Sequence, residues 1–308
     1  MVELDKRAML VCFSVSQWTA RKYDKKASHE VAELHRAPEG SGRYNKQLVA
    51  KEEIAKIESL VGEARRWGDT QTLPWNDNGS RILPVDNYFG YTQGMRERRE
   101  KFEMAVEEFL LKYPALIEQA RRELNGLFNE KDYPKLEDIR SRFDWAIQVF
   151  PIPTSGDFRV ELDKSIAADL QGQIDSKVND IIGTAQKDLW SRLYTVVKHM
   201  ADTWANSEAK VYDSAVDHIV ELCGMLPKLN LAKDPKLEEM RLAVEAKLCQ
   251  VDPERARKDK KLKVNTAKEA QSILDTMASF MGGGEVLNAT DGDGSTEAGD
   301  ESPLSAAA

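Results

Sequence analysis

The sequence of 308 residues is poor in the residue types and motifs on which most catalytic sites depend. It has four histidines, and its three cysteines (Cys12, Cys223 and Cys249) are far apart and set among apolar neighbours. No two cysteines have the CxxC spacing of zinc or redox sites, so we expect buried, reduced thiols in a cytoplasmic protein. The P-loop motif, the dinucleotide-binding GxGxxG motif and the GxSxG nucleophile elbow are also absent. We therefore predict no cofactor, no metal ion and no catalytic residue.

Long hydrophobic runs are missing as well. The first apolar stretch, at residues 10–16, contains serines and precedes no small-residue cleavage site, so it does not resemble a signal peptide. No segment offers the roughly 18 consecutive apolar residues that a membrane-spanning helix needs. We therefore expect a protein without membrane association that stays in the cytoplasm.

Positive charge is absent from the end of the chain. Between residues 285 and 301 there are six acids and no lysine or arginine, so this stretch supplies six of the eight net negative charges. The composition there is rich in Gly, Ser, Thr, Asp and Ala, which predicts a disordered acidic tail at 282–308 after the Gly-Gly-Gly at 282–284. The rest of the chain is close to neutral, so its surface can still present basic faces to a partner.

What is present is mostly helical periodicity. We predict a mainly α protein, an elongated multi-helix bundle with long helices and a minor two-stranded β element. Residues 1–44 are expected to form a strand and a basic loop, and residues 45–281 a helical body. The strand at 10–16 alternates apolar and polar residues, and the alternating stretch at 157–162 is its expected partner.

The expected helices follow apolar spacing and capping residues. A first helix is predicted at 45–67, and a second at 95–129 with a kink or a break at Lys112-Tyr113, because Pro114 follows. A short helix is predicted with Asp132 as its N-cap, and the longest helix at about 161–206. The apolar spacing in that longest helix averages about 3.8 residues, longer than a helical turn, so its stripe drifts and should meet several neighbours. Asp-Pro pairs predict helix starts at 235 and at 253, the second helix reaching 281.

Residues 68–94 form the most irregular internal segment, with two prolines, four glycines and several aromatic residues. The Asn78-Gly79 pair suits a tight turn with positive φ at glycine. Aromatic residues in such a loop are typical of a segment packed onto the body, and a binding loop containing Trp75, Asp77 and Arg81 is the alternative.

A basic cluster near the start of the last predicted helix is the strongest charge feature. Glu254 and Asp259 offset it only in part. Such a run is typical of a solvated helix face, and its alternative is a contact for nucleic acid, for an acidic partner or for the acidic tail. The cluster lacks interleaved aromatic residues, so base stacking is not indicated there. The cluster consists of Arg255, Arg257, Lys258, Lys260, Lys261 and Lys263.

Several short stretches together resemble a family of uncharacterised proteins from bacteriophages and mobile elements, known only as a domain of unknown function. The resemblance implies a phage or mobile-element gene with neighbours that encode MoxR/CobS-like AAA+ ATPases, and it carries no catalytic residue with it. The stretches are Trp18 with Arg21 and Lys22, residues 73–84, 131–134, 157–160 and 188–190, and the Leu226-Pro227-x-Leu229-Asn230 turn.

Three functions are consistent with these features. The first is a non-enzymatic adaptor or structural protein that acts through long helices on a protein partner: itself, a phage or host protein, or a MoxR-like ATPase. The second is a DNA-binding accessory of recombination or replication that uses the basic cluster. The third is an enzyme of unrecognised type, built around Trp75, Asp77, Arg81 and acidic residues of the helices.

Overall fold

The computed structural model describes residues 4–76, 78–154, 164–206 and 208–281. The protein is mainly helical, as predicted, with a small antiparallel sheet. The described chain forms two compact units. The first contains the residues up to Trp190 together with Gly224–Asp234, and the second contains Ser191–Cys223 and the chain from Pro235 onward.

The first unit begins with a short helix α1 (Leu4–Arg7) and the strand β1 (Ala8–Ser16), the predicted N-terminal strand. β1 lies in a four-stranded antiparallel sheet of order β4-β5-β1-β6, with β4 at Leu73–Pro74, β5 at Ser80–Pro84 and β6 at Asp144–Phe150. The prediction that this strand belongs to a two-stranded β element is therefore wrong, because its sheet has four strands. In the register, Val11 lies opposite Arg81 on one side and opposite Val149 on the other. The expected partner, residues 157–162, falls outside the described residues.

A two-stranded ribbon and a helix occupy the region that was expected to be a basic loop. β2 (Arg21–Tyr23) pairs with β3 (Asn45–Gln47), and α2 (Lys25–Leu34) lies between them in sequence. Asp24 begins α2, since its Oδ1 accepts a hydrogen bond from the Ala27 backbone N–H at 3.1 Å. Such a side-chain cap satisfies one of the free donors of a helix N-terminus, so a polar sequence can start a helix here.

The core of the first unit lies between the sheet and two helices, α3 (Lys51–Thr70) and α4 (Tyr88–Leu124), the latter entered through a 3₁₀ turn at Val85–Asn87. The apolar stripe of α4 is buried, and Trp18 packs on Phe109 and Tyr113 with ring centroids 5.9 and 5.7 Å away. Of the kink or break expected at Lys112-Tyr113, the break is wrong. Pro114 is exposed, and the buried residues on either side of it hold one continuous helix.

Two further elements follow α4. The predicted short helix is α5 (Leu136–Arg140), which begins after Lys135 rather than at Asp132. The strand β6 was missed, although Trp145, Ile147 and Val149 alternate along it. Residues 68–94, expected to be an irregular loop, contain β4, β5 and the first turns of α4. The tight turn at Gly79 is confirmed by its φ of +80°.

The longest helix is α6 (Lys164–Ala205), close to its predicted bounds. Its apolar stripe is buried from Ala185 to Trp204, with Leu189 among the residues of the first unit and Leu193 and Val197 among those of the second. α7 (Asp213–Leu229) follows, and α8 (Pro235–Lys247) begins at the predicted Asp-Pro pair.

The last predicted helix is in fact two, α9 (Pro253–Lys258) and α10 (Lys260–Phe280). α10 packs against both α8 and α9.

Candidate functional site

The basic cluster is divided between α9 and α10 by a second capping residue. Asp252 caps α9, as predicted, by accepting hydrogen bonds from the backbone N–H groups of Glu254 (2.8 Å) and Arg255 (3.4 Å). Asp259 does the same for α10, with Lys261 N at 2.9 Å and Leu262 N at 3.1 Å. Because the Asp259 carboxylate is engaged with the backbone, it lies at the middle of the cluster without forming an ion pair to any of its cations among the described residues.

Every second cation of the cluster contacts the chain between α6 and α7, and we call these three the inner cations (Arg257, Lys260 and Lys263). This α6–α7 connection comprises residues 206 and 208–212. Lys263 is only 2% exposed, and its Nζ donates to the carbonyl oxygens of Asn206 and Ala209, both at 2.6 Å. A buried ammonium group needs such partners, because leaving it without them would cost several kcal/mol.

The other two inner cations form ion pairs. Lys260 Nζ lies 2.7 Å from Glu208 Oε1, and Arg257 pairs with Asp213 while its Nε donates to the Val211 carbonyl at 2.9 Å. The hydrogen bond that Arg257 donates to the Asp213 carboxylate raises the pKa of Arg257, whose charge is permanent in any case. Three of the six cations in the predicted cluster therefore bind the protein's own α6–α7 connection and the start of α7.

The outer cations (Arg255, Lys258 and Lys261) differ from the inner ones. All three are exposed, and none forms an ion pair with a described residue. They project from the same short region of chain as the inner cations, whose charges are already matched by Glu208, Asp213 and backbone carbonyls. The outer cations therefore supply a net positive charge that an external anion can use.

A surface depression of about 520 Å³ lies beside the inner cations, between the α6–α7 connection and the two helices. Its lining includes Lys210 and Tyr212, both exposed, Tyr212 to 61%. Depressions of 300 to 1,000 Å³ are the size range of small-ligand sites. Sequence reasoning missed both residues, because they precede the cluster by more than 40 positions and only the fold brings them together.

The second candidate site of the sequence, Trp75 with Asp77 and Arg81, is only partly described. Arg81 Nε donates to Thr72 Oγ1 at 2.6 Å and lies 3.1 Å from Asp69 Oδ1, so it fastens β5 to the end of α3. Trp75 is half-buried at the end of β4, and Asp77 lies outside the described residues. The described contacts of Arg81 are those of a structural residue.

A buried lysine in the first unit is another charged group that the sequence did not single out. Lys46 Nζ lies 2.9 Å from Asp24 Oδ2 and 2.6 Å from Asp132 Oδ2, and it donates to the Leu127 carbonyl at 2.8 Å. An ammonium group has three protons, so these partners use all of them. Burial alone would lower the pKa of Lys46, but the hydrogen bonds to Asp132 and Asp24 outweigh it and raise that pKa. Lys46 is thus a clamp between the ribbon and the segment after α4.

The cysteines and the acidic residues form no metal site in the described ranges. No group of three or more His, Cys, Asp or Glu side chains there is placed to hold a metal ion, including the residues around His218. All three thiols are free, and burial raises the pKa of Cys223 and of Cys249. Among the described helices, none combines the length and apolar character that crossing a bilayer requires.

Comparison with protein-family models, with curated proteins and with solved structures finds no match to this chain. The resemblance to the phage and mobile-element family therefore stays a prediction.

Proposed function

We propose that this chain is a non-enzymatic binding protein of the cytoplasm that uses the outer cations of its second unit to bind the phosphate backbone of a nucleic acid. The observation that carries the proposal is the exposure of Arg255, Lys258 and Lys261 without ion pairs among the described residues, next to a depression that also displays Lys210. Lysine and arginine side chains bind phosphates by displacing condensed counterions, and this term gives most non-specific nucleic-acid affinity. An accessory role in recombination or replication of a mobile element is the context in which we place it.

Charge reversal tests the proposal. The wild type should bind fluorescein-labelled 20-nucleotide single strands or 20-base-pair duplexes in fluorescence anisotropy at 50 mM salt. The triple variant R255E/K258E/K261E should lose most of this affinity, because three attractive contacts become repulsive.

A matched control separates the site from net charge. R65E/R66E/R96E changes the charge by the same amount at exposed positions of the first unit, and none of these three arginines forms an ion pair with a described residue. It should bind almost as well as the wild type. Equal loss in both triple variants would mean that overall charge, not the outer cations, governs binding.

A protein-binding adaptor is the second candidate, favoured by a different surface. On α4, Phe89 (82%), Met104 (64%) and Leu111 (84%) are exposed on the side opposite the buried stripe. At 100° per residue these positions fall within a sector of about 60°. Exposed large apolar side chains that share one helix face are typical of protein contact sites. The partner would be a second copy of the chain or a MoxR-like AAA+ ATPase, and the length of α4 would offer it an extended surface.

The adaptor candidate is tested by M104E/L111E. This variant should lose self-association in light scattering, or co-purification with the ATPase, while its circular dichroism melt stays unchanged because both side chains are already exposed. Gln93→Glu on the same helix face adds charge without removing apolar surface and serves as the control. If the double variant behaves like the wild type in both assays, α4 is not the contact surface.

A further inference from the structure

Tyr212 is an exposed aromatic side chain on a backbone that is held on both sides by one arginine. Arg257 Nε donates to the carbonyl of Val211 at 2.9 Å, and the same guanidinium pairs with the carboxylate of Asp213. Val211 itself is buried, while the Tyr212 ring between these two anchors is 61% exposed. The backbone that carries the ring is therefore held in place before any ligand arrives, which lowers the entropy cost of using Tyr212 for binding.

The surroundings of Tyr212 include several cations. It lines the same depression as Lys210, which forms no ion pair with a described residue, and as Arg257 and Lys260, which are paired with Asp213 and Glu208. The outer cations lie on the same two helices, α9 and α10. A single exposed tyrosine is common on protein surfaces and needs no explanation by itself. An aromatic ring beside a groove of lysines and arginines is the combination with which proteins hold unpaired nucleotides, since the cations follow the backbone and the ring stacks on a base.

We propose that Tyr212 is a stacking platform for one unpaired base and that the ligand of this site is a single-stranded nucleic acid. The inference rests on the proposed function and narrows it. In a duplex each base is stacked between its neighbours, so its face is hidden and only phosphates and groove edges reach the protein. In a single strand a base can turn onto the Tyr212 ring while the adjoining phosphates meet Lys210 and the outer cations.

The experiment compares variants of Tyr212 on two ligands in the full-length chain. Tyr212→Ala should weaken binding of a labelled 20-nucleotide dT strand by about 5-fold to 100-fold, the range expected for one lost base stack, and leave duplex binding unchanged. Tyr212→Phe keeps the ring face and should bind like the wild type. Phe150→Ala, which removes an exposed ring of β6 in the first unit, should change neither ligand's affinity.

The dependence on salt gives a second readout that separates stacking from charge. Tyr212→Ala should keep the wild-type slope of log K against log salt, because stacking releases no counterions, whereas R255E/K258E/K261E should flatten it. Unchanged single-strand affinity in Tyr212→Ala, or an equal loss for strand and duplex, overturns the stacking inference and leaves the phosphate-binding function standing. Failure of the wild type to bind either ligand at 50 mM salt overturns both.

Discussion

At the scale of single residues, a few side chains and one glycine fix how elements meet. Gly94 of α4 lies under the Trp67 ring so closely that an added methyl group would overlap it. The ring is also stacked on Tyr91 at a centroid distance of 5.9 Å and covered by Arg98, whose guanidinium carbon is 4.0 Å from the ring centroid. Trp67 therefore has no free side toward which it could shift without losing a contact.

Gly94→Ala should accordingly lower the free energy of unfolding by about 1 to 3 kcal/mol, the usual cost of an overpacked core. Urea denaturation monitored by circular dichroism measures it. Gly183→Ala on α6 is the control, and it should change the free energy of unfolding in the opposite direction. No atom lies within 4 Å of its added methyl group, so the change should raise the free energy of unfolding by up to about 1 kcal/mol. A neutral or stabilising Gly94→Ala would contradict the packing described for Trp67.

The Lys46 clamp predicts a pH dependence. The pKa of Asp24 is lowered, first by the Ala27 backbone N–H and then by Lys46, so the stability that Asp24 contributes is present above the ordinary carboxyl pKa and is lost as pH falls through its lowered value. The raised pKa of Lys46 works in the other direction: its contribution is present below the ordinary lysine pKa and is lost as pH rises through the raised value.

Lys46→Met should cost about 3 to 5 kcal/mol at neutral pH, because it leaves two carboxylates without their buried partner. The variant should also lose less stability than the wild type when both are taken from pH 6 to pH 3 in urea titrations. The exposed Lys131→Met, beside Asp132, is the control and should stay within about 0.5 kcal/mol of the wild type. Identical acid profiles for Lys46→Met and wild type would show that the clamp does not stabilise the fold.

At the scale of elements, local signals in the sequence were reliable where they were strong. Asp252-Pro253 predicted a capped helix start, Gly79 a left-handed turn, and the long apolar series the helix α6, and the structure has all three. β6 and α2 could not be predicted in the same way. The alternation along β6 is short and contains helix-compatible residues, and it becomes a strand because β1 offers it backbone hydrogen bonds over residues 10–16.

For the basic cluster, too, the sequence alone could not predict which residues are available for binding. Its six cations look alike in sequence, and only tertiary contacts divide them into inner and outer sets. The contact that most firmly binds the α6–α7 connection to α10 is that of Lys263, since its buried ammonium group holds two carbonyls of that connection.

Lys263→Met should therefore lower stability by about 1 to 3 kcal/mol for the carbonyls left unsatisfied, and it should make the α6–α7 connection open more often. Trypsin cleavage after Lys210, followed by mass spectrometry, measures the opening directly. Lys268→Met, an exposed change on the same helix, should leave the cleavage rate unchanged. Equal cleavage rates at Lys210 in Lys263→Met and wild type would rule out a restraining role for Lys263.

At the scale of the whole molecule, charge is distributed unevenly. The chain carries a formal charge of −8, and residues 285–301 supply six of these charges. The basic cluster is therefore covalently attached to an acidic segment that competes with any anionic ligand. This imbalance was readable from the sequence alone. The sequence alone did not show which cations are available to an anionic ligand, because this depends on which cations of the cluster are already paired within the fold.

Deletion of residues 285–308 should strengthen binding of a single-stranded oligonucleotide several-fold at 50 mM salt, because a covalently attached segment of charge −6 repels phosphates and competes for the outer cations. The gain should shrink as salt rises, since the screening length falls to about 10 Å at 0.1 M. Anisotropy titrations of the two chains over a salt series measure it. Unchanged affinity at low salt would mean that the acidic segment does not reach the field of the basic site.

The salt dependence of single-strand binding by the full-length wild type is the most direct test of phosphate binding through the outer cations. With Lys210 and the three outer cations each meeting one phosphate, the plot of log K against log salt should have a slope of about −3. In R255E/K258E/K261E the magnitude of this slope should fall below about 1. A wild-type slope near zero, or a slope that the triple variant leaves unchanged, would contradict a nucleic-acid-binding role for this surface.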